Sequence, residues 1–226
     1  MKESGIEGWS IRWRCFTLLL MTVFFLFAVP LVAKEDAAKQ WLDKGKDAVE
    51  SQNYQESISA FTKALQIDPK NTEAFRMRGF VYMALGNNQQ AMKDLDKSIQ
   101  LGPRNPLSYE NRGELYASMS EPQKAIQDFN KAIELNTDPQ LLAESHYNRG
   151  CQYVKLGDHQ QAIKDLSRTI ELNPKNTATM RDAYYNRAVM YGKVGDRKKG
   201  WEDMKTCARL GDKDAQDLLK SHGIKW

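Results

Sequence analysis

The sequence has few of the residues from which catalytic and metal centres are usually built. Its 226 residues include three histidines and three cysteines. The histidines, His146, His159 and His222, do not show a metal-ligand spacing such as H-E-x-x-H, and no serine or cysteine has a recognisable base partner. A glycine-rich phosphate loop is also missing, because the LG dipeptides have the form of helix stops. We therefore expect no catalytic residue, no metal and no cofactor, so that the protein is not an enzyme.

The sequence also lacks a strong excess of charge of one sign. Lysine and arginine number 33 against 29 aspartates and glutamates, which gives a formal net charge of +4. So small an excess provides little long-range attraction to phosphates. Helical-repeat proteins that read RNA would also need a basic surface. We therefore expect no nucleic-acid partner.

Only one long hydrophobic run is present, in residues 15–33, and Arg12 and Arg14 precede it. Such a run is typical of a signal peptide or of an N-terminal membrane anchor. Cleavage after Ala33 and retention as an anchor both remain open, since Leu31 is a mediocre match to an A-x-A site. The arginines favour a cytoplasmic N-terminus, so we expect residues 34–226 to be exported, periplasmic or extracellular, with membrane attachment through residues 15–33 as the alternative to release.

What the sequence does contain is a small residue that recurs with the same neighbours, at separations of 34, 34, 37 and 38 positions. An aromatic residue or histidine stands four positions before each, and a large apolar residue stands sixteen positions after each. These spacings place one apolar stripe on each of two helices, and only stacked helix pairs can bury such stripes. The small residues are Gly45, Gly79, Gly113, Gly150 and Ala188.

This pattern resembles the tetratricopeptide repeat, W-x2-L-G-x2-Y…A-x3-F…P, from residue 38 to about residue 214. The resemblance implies an all-α protein, a right-handed α-solenoid of about five helix pairs with a C-terminal capping helix. We expect residues 1–33 to be the signal or anchor and residues 34–226 to form one repeat domain. The predicted repeats span about 38–71, 72–105, 106–142, 143–176 and 181–214, and the cap spans 212–226.

The two longer separations predict one extra helical turn at the start of the fourth and fifth repeats. The added residues fall at QLLA (140–143) and TATM (177–180), and three or four residues are about one turn. Thr137 or Asp138 is the expected N-cap of the first of these helices, with Pro139 just inside. In the cap, Ala215, Leu218 and Leu219 form the predicted apolar stripe.

The sequence departs from the family pattern directly before the small residue, where the family has leucine and this chain has a cation. Each arginine at this position has an aspartate sixteen residues later, whereas Lys44 has Ala60. A cation beside a helix seam is costly unless it is paired. We predict ion pairs between facing helices, with separately solvated charges as the alternative. The pairs are Arg78–Asp94, Arg112–Asp128, Arg149–Asp165 and Arg187–Asp203.

An asparagine precedes the arginine in three repeats. It is turned about 100° from the arginine, toward the inner groove of a solenoid. In the family this position lines the concave surface, and a carboxamide can both donate to and accept from a peptide backbone. The alternative is that these asparagines are only exposed polar residues. The predicted peptide-binding residues are Asn111, Asn148, Asn186, Tyr147, Tyr185, Lys155 and Lys193; earlier repeats offer Arg76, Phe80, Met83, Glu110 and Glu114.

Two further residue types have expected structural roles. His146 takes a position that is aromatic in other repeats, so we expect it to pack. Cys151 and Cys207 occupy different positions of their repeats. We expect two separate thiols, because a disulfide needs closely spaced Cα atoms.

The sequence thus leaves two functions open. The first is a non-catalytic scaffold or adaptor in the cell envelope that binds an extended peptide or a partner protein in its concave groove. The alternative is a structural subunit that packs into a larger envelope complex through its convex face or its cap. An open polar groove favours the first function, and a large exposed apolar patch favours the second.

Overall fold

The protein is a stack of antiparallel helix pairs. The computed structural model describes residues 34–172 and 175–226, in which the regular secondary structure is helical and no strand occurs. The predicted signal or anchor, residues 1–33, lies outside these described residues. In the part of the chain that is described, no helix has the length and apolar character needed to cross a membrane.

Each repeat contributes a first helix and a second helix. The first helices are α1 (34–50), α3 (Thr72–Ala84), α5 (Pro106–Ser118), α7 (Pro139–Leu156) and α9 (Thr177–Lys193). The second helices are α2 (Tyr54–Ile67), α4 (Asn88–Leu101), α6 (Pro122–Leu135), α8 (His159–Leu172) and α10 (Arg197–Arg209). A shorter helix, α11 (Lys213–Ser221), ends the stack.

Local sequence explains where the first helices begin and end. Side chains of Asn71, Asn105 and Asn176 accept hydrogen bonds from the first free backbone N–H groups of α3, α5 and α9. Gly157 ends α7 at a positive φ of 74°, a conformation that is easy only for glycine.

The extra turn predicted for the later repeats is confirmed. Helix α7 has 18 residues and α9 has 17, whereas α3 and α5 have 13 each. Of the two expected N-caps of α7, Asp138 is the one used: its Oδ1 accepts from the N–H groups of Gln140 and Leu141, and Pro139 is the first helical residue.

The recurrent small residue allows the two helices of a repeat to approach closely. A Cβ atom placed on Gly113 would lie 2.7 Å from Cε1 of Phe129, which is fully buried. Leu95 meets Gly79 in the same way in the preceding repeat. Because a ring and a Cβ cannot share this space, the glycine fixes the distance between facing helices.

The inner face of the stack is built from first helices. Successive first helices contact each other, from α3 to α5, α5 to α7 and α7 to α9, whereas successive second helices do not pack closely together. The stack therefore curves with the first helices on its concave side.

The C-terminal helix closes the last repeat, with one correction to the predicted stripe. Ala215 and Leu219 are fully buried against α10, as expected. Leu218 is 39% exposed and lies outside the packed stripe. A helix of nine residues has one buried face, and the one-position offset from Leu219 turns Leu218 toward solvent.

Candidate functional site

The four Arg–Asp pairs expected from the sequence are brought together by the fold. Each arginine donates from Nε and Nη2 to the two oxygens of the aspartate sixteen residues later, at 2.6–2.9 Å. The aspartates are 2–7% exposed. The alternative of separately solvated charges does not describe these residues, since the geometry is bidentate and largely dry. We call these four pairs the arginine seam.

Each arginine of the seam also reaches back to the preceding repeat, which the sequence reasoning missed. Its Nη1 donates to a side chain on the preceding second helix, at 2.6–2.9 Å. The acceptors share one position in the repeat, directly after the large apolar residue, and that regularity was the available signal. They are Thr62, Asp96, Asn130 and Ser167. One guanidinium therefore links two second helices, so the seam connects successive repeats.

The seam explains why an aromatic residue precedes the arginine and corrects the expectation for His146. The guanidinium carbons of Arg112 and Arg187 lie 5.9 and 5.5 Å from the ring centroids of the tyrosines three residues earlier. In the fourth repeat His146 replaces this ring, and its Nδ1 lies 3.0 Å from Oδ1 of Asp165. His146 is thus a hydrogen-bonding member of the seam and not only a packing residue.

Asp165 shows the electrostatic result of these contacts. Its burial alone would raise its pKa, but hydrogen bonds from Arg149 and His146 lower the pKa below its usual value. Asp165 is therefore held ionised at neutral pH, and its charge is satisfied by side chains within the fold.

The predicted groove asparagines are less free than expected. Asn111 is only 8% exposed, and its Nδ2 has no hydrogen-bond partner. Asn148 Nδ2 donates to Oε1 of Glu110 at 2.8 Å and to Oε1 of Glu114 at 3.3 Å. Asn186 Nδ2 lies 3.9 Å from Sγ of Cys151. The amides of Asn148 and Asn186 thus point toward the preceding first helix, and Asn111 is buried. The alternative of simple exposed polar residues therefore does not describe Asn111 and Asn148.

The other predicted groove residues lie on α7 and α9 with different degrees of exposure. Tyr185 is 38% exposed. Tyr147 is half-buried. Burial and, to a smaller extent, the neighbouring Cys151 raise the pKa of its hydroxyl. Lys155 and Lys193 are exposed in the last turns of α7 and α9. The rear of the stack therefore offers aromatic and cationic side chains to solvent, one set per repeat.

A cluster of acidic residues occupies the middle of the inner face, where α5 meets α7. Glu110, only 9% exposed, accepts hydrogen bonds from Ser145 Oγ at 2.5 Å and from Asn148 Nδ2 at 2.8 Å. Glu114, one helical turn later, shares the same Asn148 amide. We call Glu110, Glu114 and Asn148 the glutamate cluster. Both glutamates were expected in the groove, but the amide that joins them was not expected; the i,i+4 spacing of two like charges was the available signal.

The glutamate cluster resists ionisation. Burial, offset in part by Ser145 and Asn148, raises the pKa of Glu110. Burial and then the charge of Glu110 raise the pKa of Glu114 to about 7. Glu144, exposed on α7, adds a smaller effect of the same sign at both sites. Near neutral pH the pair therefore holds a proton that separate, solvated glutamates would have lost.

Other chemistry is limited in the described part of the chain. Cys151 and Cys207 are free thiols there, as the sequence predicted. Within residues 34–172 and 175–226, no three His, Cys, Asp or Glu side chains are grouped so that they could hold a metal ion.

A curved stack of helix pairs with polar residues along its inner face defines the class of α-solenoid repeat proteins. Family models of the tetratricopeptide repeat match residues 48–109, 106–138 and 143–176. Together these matches cover more than half of the chain, which belongs to the tetratricopeptide-repeat family. This assigns the protein to a class that acts as a scaffold for interactions between proteins.

Solved structures share the fold at low sequence identity. MamA protein is 26% identical to this chain with a TM-score of 0.65, over 80% of this chain and 95% of MamA. YrrB, a tetratricopeptide-repeat protein with an unusual peptide-binding site, is 21% identical with a TM-score of 0.65, over 83% of this chain and 93% of YrrB. PilF of Pseudomonas aeruginosa is 18% identical with a TM-score of 0.74, over 83% of this chain and 82% of PilF. No curated protein matches the sequence.

Proposed function

We propose that the chain is a non-catalytic scaffold that binds an extended peptide, or an extended segment of a partner protein, along its first helices. The observation that carries this proposal concerns buried side-chain atoms without hydrogen-bond partners, of which the described residues include five. Three of them lie on successive first helices: Nε of Arg76 on α3, Nδ2 of Asn111 on α5 and Oε1 of Gln152 on α7. The other two, Oγ of Ser57 and Nδ1 of His159, lie on second helices. Leaving such groups unpaired is costly, so their presence on three successive first helices points to a guest that supplies the missing bonds.

A peptide backbone suits this set because it carries both donors and acceptors at regular intervals. Two of the three atoms are donors and one is an acceptor. The atoms are covered in the free protein, so a guest reaches them after neighbouring side chains rotate. The fold itself supports the role, since YrrB carries a peptide-binding site on the same architecture.

Replacing Asn111, Asn148 and Asn186 together by alanine tests this proposal. The probe is a library of random twelve-residue peptides, from which binders to the purified full-length chain are selected. We expect the triple variant to bind the selected peptides about tenfold to a thousandfold more weakly, because each hydrogen bond contributes about 0.5–1.5 kcal/mol.

A matched control is Gln89→Ala, Gln127→Ala and Gln160→Ala, which removes three exposed carboxamides from second helices. This control should bind as the unmodified chain does. Equal affinity of both triple variants, or no selected peptide at all, would refute binding along the first helices.

The location in the cell envelope is part of the same proposal and rests on the sequence before residue 34. Arg12 and Arg14 followed by the uncharged run support export of the repeats. A reporter that functions only outside the cytoplasm, fused after Trp226, should be active. Activity of a reporter restricted to the cytoplasm would contradict export, and the mass of the mature N-terminus distinguishes cleavage from anchoring.

A second candidate function, packing into a larger complex through the cap, is favoured by one observation. Helices α9, α10 and α11 enclose an open cavity of about 640 Å³ lined in part by Gly192, Trp201, Met204 and Leu218. A Cβ on Gly192 would meet nothing within 4 Å. Gly192→Trp should fill this space, so loss of a native complex with peptide binding intact would favour the second function.

A further inference from the structure

The glutamate cluster has acceptors but lacks a cation. Among the described residues, no lysine or arginine lies within 4.0 Å of the carboxylate of Glu110 or Glu114. Glu73, the acid on the neighbouring first helix α3, is in contrast 2.8 Å from Lys46. The two carboxylates therefore have more acceptor positions than the neighbouring donors of the free protein can fill.

A second, independent observation is a buried acceptor without a donor on the adjoining turn of α7. Gln152 is 4% exposed, and its Oε1 has no hydrogen-bond partner. Gln152 follows Asn148 by one helical turn on the same face of α7, and its Nε2 donates to the Asn148 carbonyl. Because Asn148 contacts Glu110 and Glu114, Gln152 lies on the face of α7 that packs against α5, one turn beyond the cluster.

The surroundings of the cluster limit what can provide these donors. Glu144 on α7 adds a third negative charge at the rim and is exposed. On α3, Arg76 is directed to Glu73, 4.0 Å away, and desolvation lowers the pKa of its guanidinium. A neutral donor would leave the repulsion between the glutamates in place, whereas a cation satisfies both the hydrogen bonding and the charge.

We propose that the glutamate cluster, with Gln152, is a pocket for one lysine or arginine side chain of the guest peptide. Glu114 contacts the cation directly because it is only half-buried. Glu110 lies deeper, where Ser145 and Asn148 hold it, and contributes its charge from below. This inference rests on the proposed function and names the chemistry of its guest.

The test uses the peptides selected from the random library with the full-length chain. Wild-type protein should enrich peptides with lysine or arginine at one recurring position. Each enriched peptide is then made in two forms, with lysine or with the neutral Nε-acetyl-lysine at that position, and binding is measured by fluorescence anisotropy. The double variant Glu110→Gln and Glu114→Gln should bind the lysine form about tenfold more weakly, or worse, and the acetylated form within about twofold.

A control with the same change in net charge is Glu134→Gln and Glu171→Gln, on second helices α6 and α8, where both side chains are mostly exposed. This control should bind the lysine form and the acetylated form as the unmodified chain does. Circular dichroism verifies that both double variants are folded.

The possible failures differ. Enriched peptides without a recurring cation, or equal binding of the lysine form by the Glu110→Gln and Glu114→Gln variant, would overturn the pocket and leave the groove proposal standing. Absence of any enriched peptide would overturn the groove and the pocket together.

Discussion

The arginine seam and the glutamate cluster place charges on the same helix in opposite situations. On α5, Arg112 donates to Asp128 and to Asp96, at 2.7–2.8 Å. Glu110 and Glu114, on the groove side of that helix, share one amide. Among the described residues, no lysine or arginine lies within 4.0 Å of their carboxylates. The seam satisfies its charges within the fold, and the cluster leaves its charges for something outside the fold to satisfy.

The two groups of charged side chains are therefore distinguished by their hydrogen-bond partners and not by their residue types. A buried ion pair with complete hydrogen bonding stabilises one arrangement of helices and leaves little to offer a ligand. A pair of like charges in a partly buried site lowers stability, and such a cost is common where a surface is shaped for binding.

The largest effect is expected from breaking the seam with Arg112→Met. This change leaves Asp128, which is 6% exposed, without its bidentate partner. We expect the free energy of unfolding to fall by about 3–5 kcal/mol, the usual result of removing one member of a buried pair. Urea unfolding at pH 7 measures it. Arg168→Met is the control because its pair with Glu171 is exposed, and it should change stability by less than about 1 kcal/mol. Similar losses in both variants would contradict the distinction.

Removing charge from the cluster should have the opposite sign. Folding raises the pKa of Glu114 from 4.5 to about 7, so the folded state binds the proton more tightly and loses stability as the pH rises through this interval. Glu114→Gln removes that loss. We expect it to stabilise the protein at pH 8 by about 1–3 kcal/mol, since one pKa unit is worth about 1.4 kcal/mol, and to have little effect at pH 4. Destabilisation at pH 8 would show that the Glu114 charge is compensated inside the fold.

A double-mutant cycle measures the pairwise energy within the arginine seam. Arg187 and Asp203 form a suitable pair, because within the described residues no histidine bonds to this aspartate as His146 does to Asp165. Alanine at each position, singly and together, should reveal favourable coupling of about 0.5–3 kcal/mol. Additive losses would mean that the observed geometry contributes no pairwise energy.

The smallest effect concerns binding and pH. If the cluster holds a lysine side chain, the ionised form of Glu114 binds it better than the protonated form. Lowering the pH from 8 to 6 passes through the Glu114 pKa of about 7, so affinity for a lysine peptide should fall by up to about tenfold. The acetylated peptide provides the control and should bind equally at both pH values. A lysine peptide that binds more tightly at pH 6 would contradict the role of Glu114.

Some features of the site could be predicted because they repeat with the chain. The offset of sixteen residues between arginine and aspartate is preserved in four repeats, and the fold brings all four pairs into contact. The hydrogen bond from Nη1 to the preceding second helix recurs in the same four repeats. Predicting it requires knowing how far successive repeats are shifted against each other. His146 was misjudged for a related reason, since the position predicts packing but the partner lies on α8.

The groove was harder to predict because it depends on contacts between repeats whose residues differ. Asn111, Asn148 and Asn186 occupy one position of the repeat, yet their amides differ in partners. The Nδ2 of Asn111 has no hydrogen-bond partner, that of Asn148 donates to two glutamates, and that of Asn186 lies near a thiol. Their burial is set by the neighbouring first helix and not by their own helix. Periodicity indicates which side of the helix faces the groove, but it does not show which residues of the neighbouring first helix lie opposite.

The amino-acid sequence was enough to specify the helix pairs, their lengths, the positions of several helix ends and the pairing rule of the arginine seam. These features depend on local turns and on a period that the chain states repeatedly, so neighbouring residues are enough to specify them. The folded stack was needed to show that Glu110 and Glu114 share one amide and that the Gln152 oxygen is buried without a hydrogen-bond partner. Those facts depend on distances and burial between α5 and α7, which arise when the repeats stack and which no spacing along the chain expresses.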